Sequence, residues 1–88
     1  MSVGNKADQS LRFALLRHAR AVDISAADDT LSTPSVLYIG TGGDVKVDTL
    51  SGTTVTYKNF ADGQFLPVLV TKVYKTGTSA SNMLAHKE

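Results

Sequence analysis

His18 and His86 are the side chains best suited to proton transfer or metal binding, and they lie far apart in the sequence. Ser, Thr and Asp are plentiful, but no spacing marks one of them as a nucleophile with a base and an orienting partner. His18 reads as one more polar residue on an Arg-bearing segment, and His86 as a frayed or subunit-contact residue. Asp28-Asp29, with Asp44, Asp48 and Asp62, does not match the ligand spacing of a calcium loop. Asp28 and Asp29 read better as turn or local capping residues. Gly40-Thr41-Gly42-Gly43 invites comparison with a phosphate loop, but such a loop needs a following helix. The next residues, Asp44-Val45-Lys46-Val47, alternate like a strand, and Asp44 would repel phosphate. The absence of cysteine removes disulfides and thiolate metal sites together. The expectation is a non-enzymatic chain with no catalytic residues, no metal and no cofactor.

The one local charge asymmetry is basic. Nine Lys plus Arg against eight Asp plus Glu leave a net +1 overall. Residues 1–22, however, hold Lys6, Arg12, Arg17 and Arg20 against Asp8 alone. Leu15 and Leu16 sit within this cluster, which suits a protein-docking segment better than a nucleic-acid arm. No aromatic stacking platform accompanies the arginines. A solvated helix face is the plain alternative. Residues 10–20 read as a short helix capped by Ser10 with Leu11 and Leu15 on one face, or as an arm that orders on a partner. Residues 23–35, rich in Ser, Ala, Asp and Thr, read as a loop.

From Val36 onward, β-branched and aromatic residues dominate, punctuated by Gly or Asp-Gly: the pattern of short antiparallel strands and tight turns. Opposed residues in an antiparallel pair share a face, so register can be tested. Around Leu50-Ser51-Gly52, a three-residue loop with Gly52 left-handed opposes Val47 to Val55 and Val45 to Tyr57. Centring the next turn on Asp62-Gly63 opposes Tyr57 to Val68 and Val55 to Val70. The turn at Gly40–Gly43 opposes Tyr38 to Val45 and Val36 to Val47. These turns predict a four-stranded meander with two core rows: Val36, Val47, Val55, Val70 and Tyr38, Val45, Tyr57, Val68. Asn82–His86 supplies a candidate fifth strand, and Pro67, lacking an N–H, calls for a bulge or bond-free position. The fold expected is all-β, a small antiparallel β-sandwich or barrel built on a four- to five-stranded meander. An N-terminal basic arm or short helix (1–22) and a loop (23–35) precede the β domain (36–88).

The second face of that meander carries Leu37, Ile39, Leu69 and Val73 on its outer strands. A further layer or a neighbouring subunit should cover them. An 88-residue chain buries only roughly 60–65% of its unfolded surface, a marginal core. With disulfides excluded, oligomerisation is the remaining device. No apolar run approaches the roughly 20 residues of a membrane span, and the first residues lack the grammar of a secretory signal. A soluble protein made in the cytoplasm is expected.

Four stretches, in order and spacing together, carry a family likeness over about residues 21–85. They are Ala21-Val22-Asp23-Ile24-Ser25 with Asp28-Asp29-Thr30-Leu31, and Pro34 with Leu37-Tyr38-Ile39-Gly40 and Gly43-Asp44-Val45. Thr54-Val55-Thr56-Tyr57-Lys58-Asn59 with Gly63 and Leu66-Pro67-Val68 follows, then Val73, Thr76-Gly77-Thr78 and Ser79-Ala80. In these the chain resembles the head-spike base proteins of gene transfer agents and related tailed phages. The basic segment before Ala21 departs from that pattern. The resemblance implies a virion structural protein, made in the host cytoplasm, that self-associates on the capsid surface at a vertex and supports a spike or fibre. Its partners would be itself, the major capsid protein and a spike or fibre protein, with no membrane and no nucleic acid. The residues expected at contacts are Leu11, Phe13, Leu15, Leu16, Arg17 and Arg20 in the arm, with Leu37, Ile39 and Leu69 on the sheet's second face. A decoration or cement protein away from the vertex needs the same ingredients. A small nucleic-acid-binding barrel is the contrasting class, and the place of Tyr38 and Tyr57 in the valine rows argues against it.

Overall fold

The β-branched alternation beyond residue 28 is satisfied by a single curled sheet in the computed structural model, which describes residues 16–87. Six antiparallel strands form it: β1 (His18–Ala21), β2 (Asp29–Thr41), β3 (Val45–Thr49), β4 (Thr54–Tyr57), β5 (Gln64–Val73) and β6 (Ser81–Lys87). Their order across the sheet is β1-β6-β2-β5-β3-β4. The described residues contain no helix. The sheet closes partly on itself, because the Asp44 carbonyl accepts the N–H groups of Ser79 (2.8 Å) and Ala80 (3.1 Å) ahead of β6.

The β3–β4 hairpin has the expected register, with Val45 opposite Tyr57 and Val47 opposite Val55. Gly52 takes φ 92° in its turn and donates to the Thr49 carbonyl at 2.9 Å, as a three-residue loop requires. The strand at the end of the chain also forms, as β6.

The meander does not. β5 pairs with β2 (Leu37 opposite Leu66, Tyr38 opposite Phe65) and with β3 (Val47 opposite Val73), and has no ladder with β4. β2 pairs with β5 and β6, and has no ladder with β3. Two local contacts redirect the chain. Gly43 and Phe60 exchange backbone hydrogen bonds of 3.1 and 2.9 Å, and a Cβ on Gly42 would overlap the Phe60 carbonyl. The turn after β2 is thus pinned to the segment after β4, leaving β2 free to take β5 and β6 as neighbours. Parity alone cannot discriminate here, since strands with valine at alternate positions match many neighbours.

Two further expectations need correction. Residues 29–35, read as loop, belong to β2, because the carboxylates that suggested a turn are strand-edge anchors. Asp29 takes Arg20 in a bidentate contact (2.6 and 2.8 Å), and Asp28 accepts the Lys75 N–H at 2.7 Å. Residues 18–21 are extended rather than helical, since β6 offers them a hydrogen-bonded partner from His18–Lys87 to Ala21–Leu84. The rest of the helix reading, residues 10–15, lies outside the described residues. Pro67 does fall in a ladder break, between the Leu37–Leu66 and Ser35–Val70 pairs.

Leu37, Ile39, Val45, Val47, Val70 and Val73 are fully buried on the concave side, with Leu66 and Met83 beside them. The Leu37 and Ile39 expectation is therefore overturned: they are core residues of their own chain, at 0% exposure, and not a surface for a partner. The face assignment of β2 is reversed, because its flanking strands are β5 and β6. In the unbroken run from Val36–His86 to Ile39–Met83, Leu37 and Ile39 point inward with Ala85 and Met83. Val36, still buried, and Tyr38 lie on the other face with His86 and Leu84. Tyr57 does pack against the core, as expected.

Candidate functional site

Phe65-Leu66-Pro67-Val68-Leu69-Val70 is apolar at every position, so both faces of β5 are apolar. Leu66, Val68 and Val70 serve the core. Phe65, Pro67 and Leu69 point to the opposite side and are exposed, Phe65 at 41% and Leu69 at 44%. Leu50, at 57% exposure, donates its backbone N–H to the Leu69 carbonyl at 3.0 Å, which places it beside the stripe.

Phe65 is held in place by its neighbours. Its ring meets Tyr38 of β2 edge-on at 5.2 Å between centroids and lies 5.8 Å from the His86 imidazole of β6. Phe65, Tyr38 and His86 thus form one contact group across β5, β2 and β6, with exposed Leu69 further along β5 and Leu50 in the turn beside it. Single exposed apolar residues are normal, but an aligned group on one sheet face marks an interaction surface.

With Leu37 and Ile39 in the core, the other expected contact residues divide into three groups. Leu69 lies on this surface. Leu16 is half-buried, and Arg17 is exposed with its N–H donated to the Lys87 carbonyl at 3.0 Å. Arg20 is held by Asp29 in the bidentate pair that ties β1 to the start of β2. That hydrogen bond, helped by the Asp23 N–H and by the guanidinium charge, holds the Asp29 carboxyl below its ordinary range against the cost of partial burial. Leu11, Phe13 and Leu15 lie outside the described residues. Sequence reasoning missed Phe65, Pro67 and Leu50, placed Tyr38 in a core row, and offered His86 as a frayed or subunit-contact residue. The signal was the uninterrupted apolar run of β5, which alternation between two rows could not accommodate.

A polar cluster occupies β3 and its neighbours. Tyr74 shares its hydroxyl between both Asp48 oxygens at 3.0 Å, while the Lys46 and Lys72 ammonium groups lie 5.0 and 4.7 Å from the Tyr74 ring centroid. The Thr54 hydroxyl also donates to Asp48, and is the main reason that carboxyl is held below its usual range. The arrangement is internally satisfied and presents no activated nucleophile. Among the described residues, no group of three or more His, Asp or Glu side chains converges to hold a metal.

No family model matches the chain, and no curated protein matches it. Among solved structures, it resembles a chain in one described as the capsid of a native GTA particle computed with C5 symmetry. The two share 32% identity and a TM-score of 0.63, over 80% of this chain and 81% of that one. At that identity and coverage the shared all-β architecture reflects common descent, and this chain belongs to the family of that GTA capsid-particle component.

Proposed function

We propose that the chain is a phage-type virion structural protein that self-associates and attaches to the capsid surface at a vertex, as the base of a head spike or fibre. It is non-enzymatic in this reading. Kinship with a chain of a GTA capsid particle carries the virion assignment. The ordered motif likeness to head-spike base proteins supports the finer role. Self-association rests on physical grounds: the outer face of β5 leaves Phe65, Leu69 and Leu50 in water, and a chain of this size gains core by sharing that face. The major capsid protein and a spike or fibre protein are the expected partners.

Sedimentation of the purified protein, paired with binding to preformed capsid shells, tests the reading. A defined oligomer that binds shells supports it, whereas a stable monomer that ignores shells removes it.

A further inference from the structure

The concave side of the sheet holds a feature that the assembly reading does not use. A groove of about 90 Å³ lies between β1 and residues 31–35 of β2, with Ala85 of β6 in its lining. His18 and Lys87 are opposed across the β1–β6 ladder and both line it. Directly opposed residues project to the same face, so the His18 imidazole and the Lys87 ammonium belong to one side of the ladder. Among the described residues, neither has an ion-pair or hydrogen-bond partner for its side chain, and none of those lining the groove is a carboxylate. The hydroxyl residues Ser32 and Thr33 form part of the facing wall. Ser35 stiffens that wall by donating its hydroxyl to the Thr33 carbonyl at 2.8 Å.

We propose that this groove binds a phosphate group, free or as a monoester. Its volume suits one tetrahedral oxyanion. Donors approach from separate directions: an ammonium from β6, an imidazole from β1 and hydroxyls from β2. A guanidinium fork meets carboxylate and phosphate alike. Arg20 is the guanidinium at this groove, and its fork is already taken by Asp29 at 2.6 and 2.8 Å. What remains are point donors, and lysine used as a point charge is a common phosphate ligand.

Amide chemical shifts of the full chain, followed during titration with inorganic phosphate at constant ionic strength, test this. Saturable shifts confined to residues 18–20, 32–33 and 87 are expected, with acetate much weaker. Lys87→Ala and His18→Ala each weaken phosphate binding about tenfold, the size of one lost charge-assisted hydrogen bond. Lys87→Arg retains most of it, and Lys58→Ala, beyond β4 at the opposite edge, leaves it unchanged. Glucose 6-phosphate binding as well as the free ion identifies a monoester site; exclusion of the sugar phosphate identifies a free-phosphate site. Shifts reproduced by chloride, shifts unaltered in both alanine variants, or phosphate binding that appears only after Glu88→Gln would overturn the proposal.

Discussion

Phe65 and Tyr38 meet edge-on across β5 and β2, ring centroids 5.2 Å apart at 64°, on the side of the sheet away from the core. An edge-to-face pair is worth about 0.5–1.5 kcal/mol beyond area burial, so Phe65 is fixed in position while its outer edge remains in water. A side chain ordered in this way needs little further entropy loss on association. That makes Phe65 the natural anchor of the outer surface.

Replacing Phe65, Leu69 and Leu50 together with Ser should abolish self-association, at a cost in monomer stability that includes about 0.5–1.5 kcal/mol from the Phe65–Tyr38 edge contact. Leu37→Ala should behave in the opposite way. It leaves a cavity at a fully buried position and costs about 2–5 kcal/mol. Sedimentation and urea unfolding of both variants separate surface from core.

Arg20→Ala should loosen β1. The residue's bidentate contact with Asp29 is a link between β1 and β2, while β1 otherwise pairs only with β6. Hydrogen exchange of the Arg17 and Val22 amides, which donate to Lys87 and Met83 at 3.0 Å, should accelerate, and core amides should not.

The same pair sets a pH dependence. The Asp29 carboxyl is lowered in the folded protein, chiefly by its hydrogen bond from Arg20. Its contribution is therefore fully present above the unfolded carboxylate value of about 3.9 and is lost as pH falls through the lower folded value. Arg20→Ala should flatten the acid limb of the stability profile below about pH 4 and leave its neutral region parallel to that of the unchanged protein. Urea midpoints between pH 2 and 7 check this.

Two glycines should respond differently to alanine. Gly52 has nothing within 4 Å of an added Cβ, so Gly52→Ala carries only the conformational cost of φ 92°, about 1–2 kcal/mol. Gly42→Ala drives a methyl group into the Phe60 carbonyl and should disrupt the crossing that leads β2 away from β3. Thermal unfolding should show a modest shift for the first and a loss of the cooperative transition for the second.

Local chemistry made part of this fold readable. The Gly52 turn, the Val45–Tyr57 register and strand β6 all follow from alternation and turn residues close in sequence. The order β1-β6-β2-β5-β3-β4 was not readable, because it depends on contacts such as Gly43 to Phe60 and Asp44 to Ser79 that leave no mark on periodicity. Once β2 lay between β5 and β6, its faces exchanged roles, moving Leu37 inward and Tyr38 outward. Asp28 and Asp29 misled for a related reason: their partners, Lys75 and Arg20, are distant or belong to another strand. Of the expected contact surface, Leu69 stands exposed beside residues that only the assembled sheet brings together.

The most direct measurement is an electron-microscopy reconstruction of the intact particle, resolved well enough to place this chain. The proposed function predicts several copies around a capsid vertex, with Phe65, Leu69 and Leu50 covered by a neighbouring copy or by capsid protein. Density for the chain away from the vertices, or at a vertex with that outer face open to solvent, would contradict it.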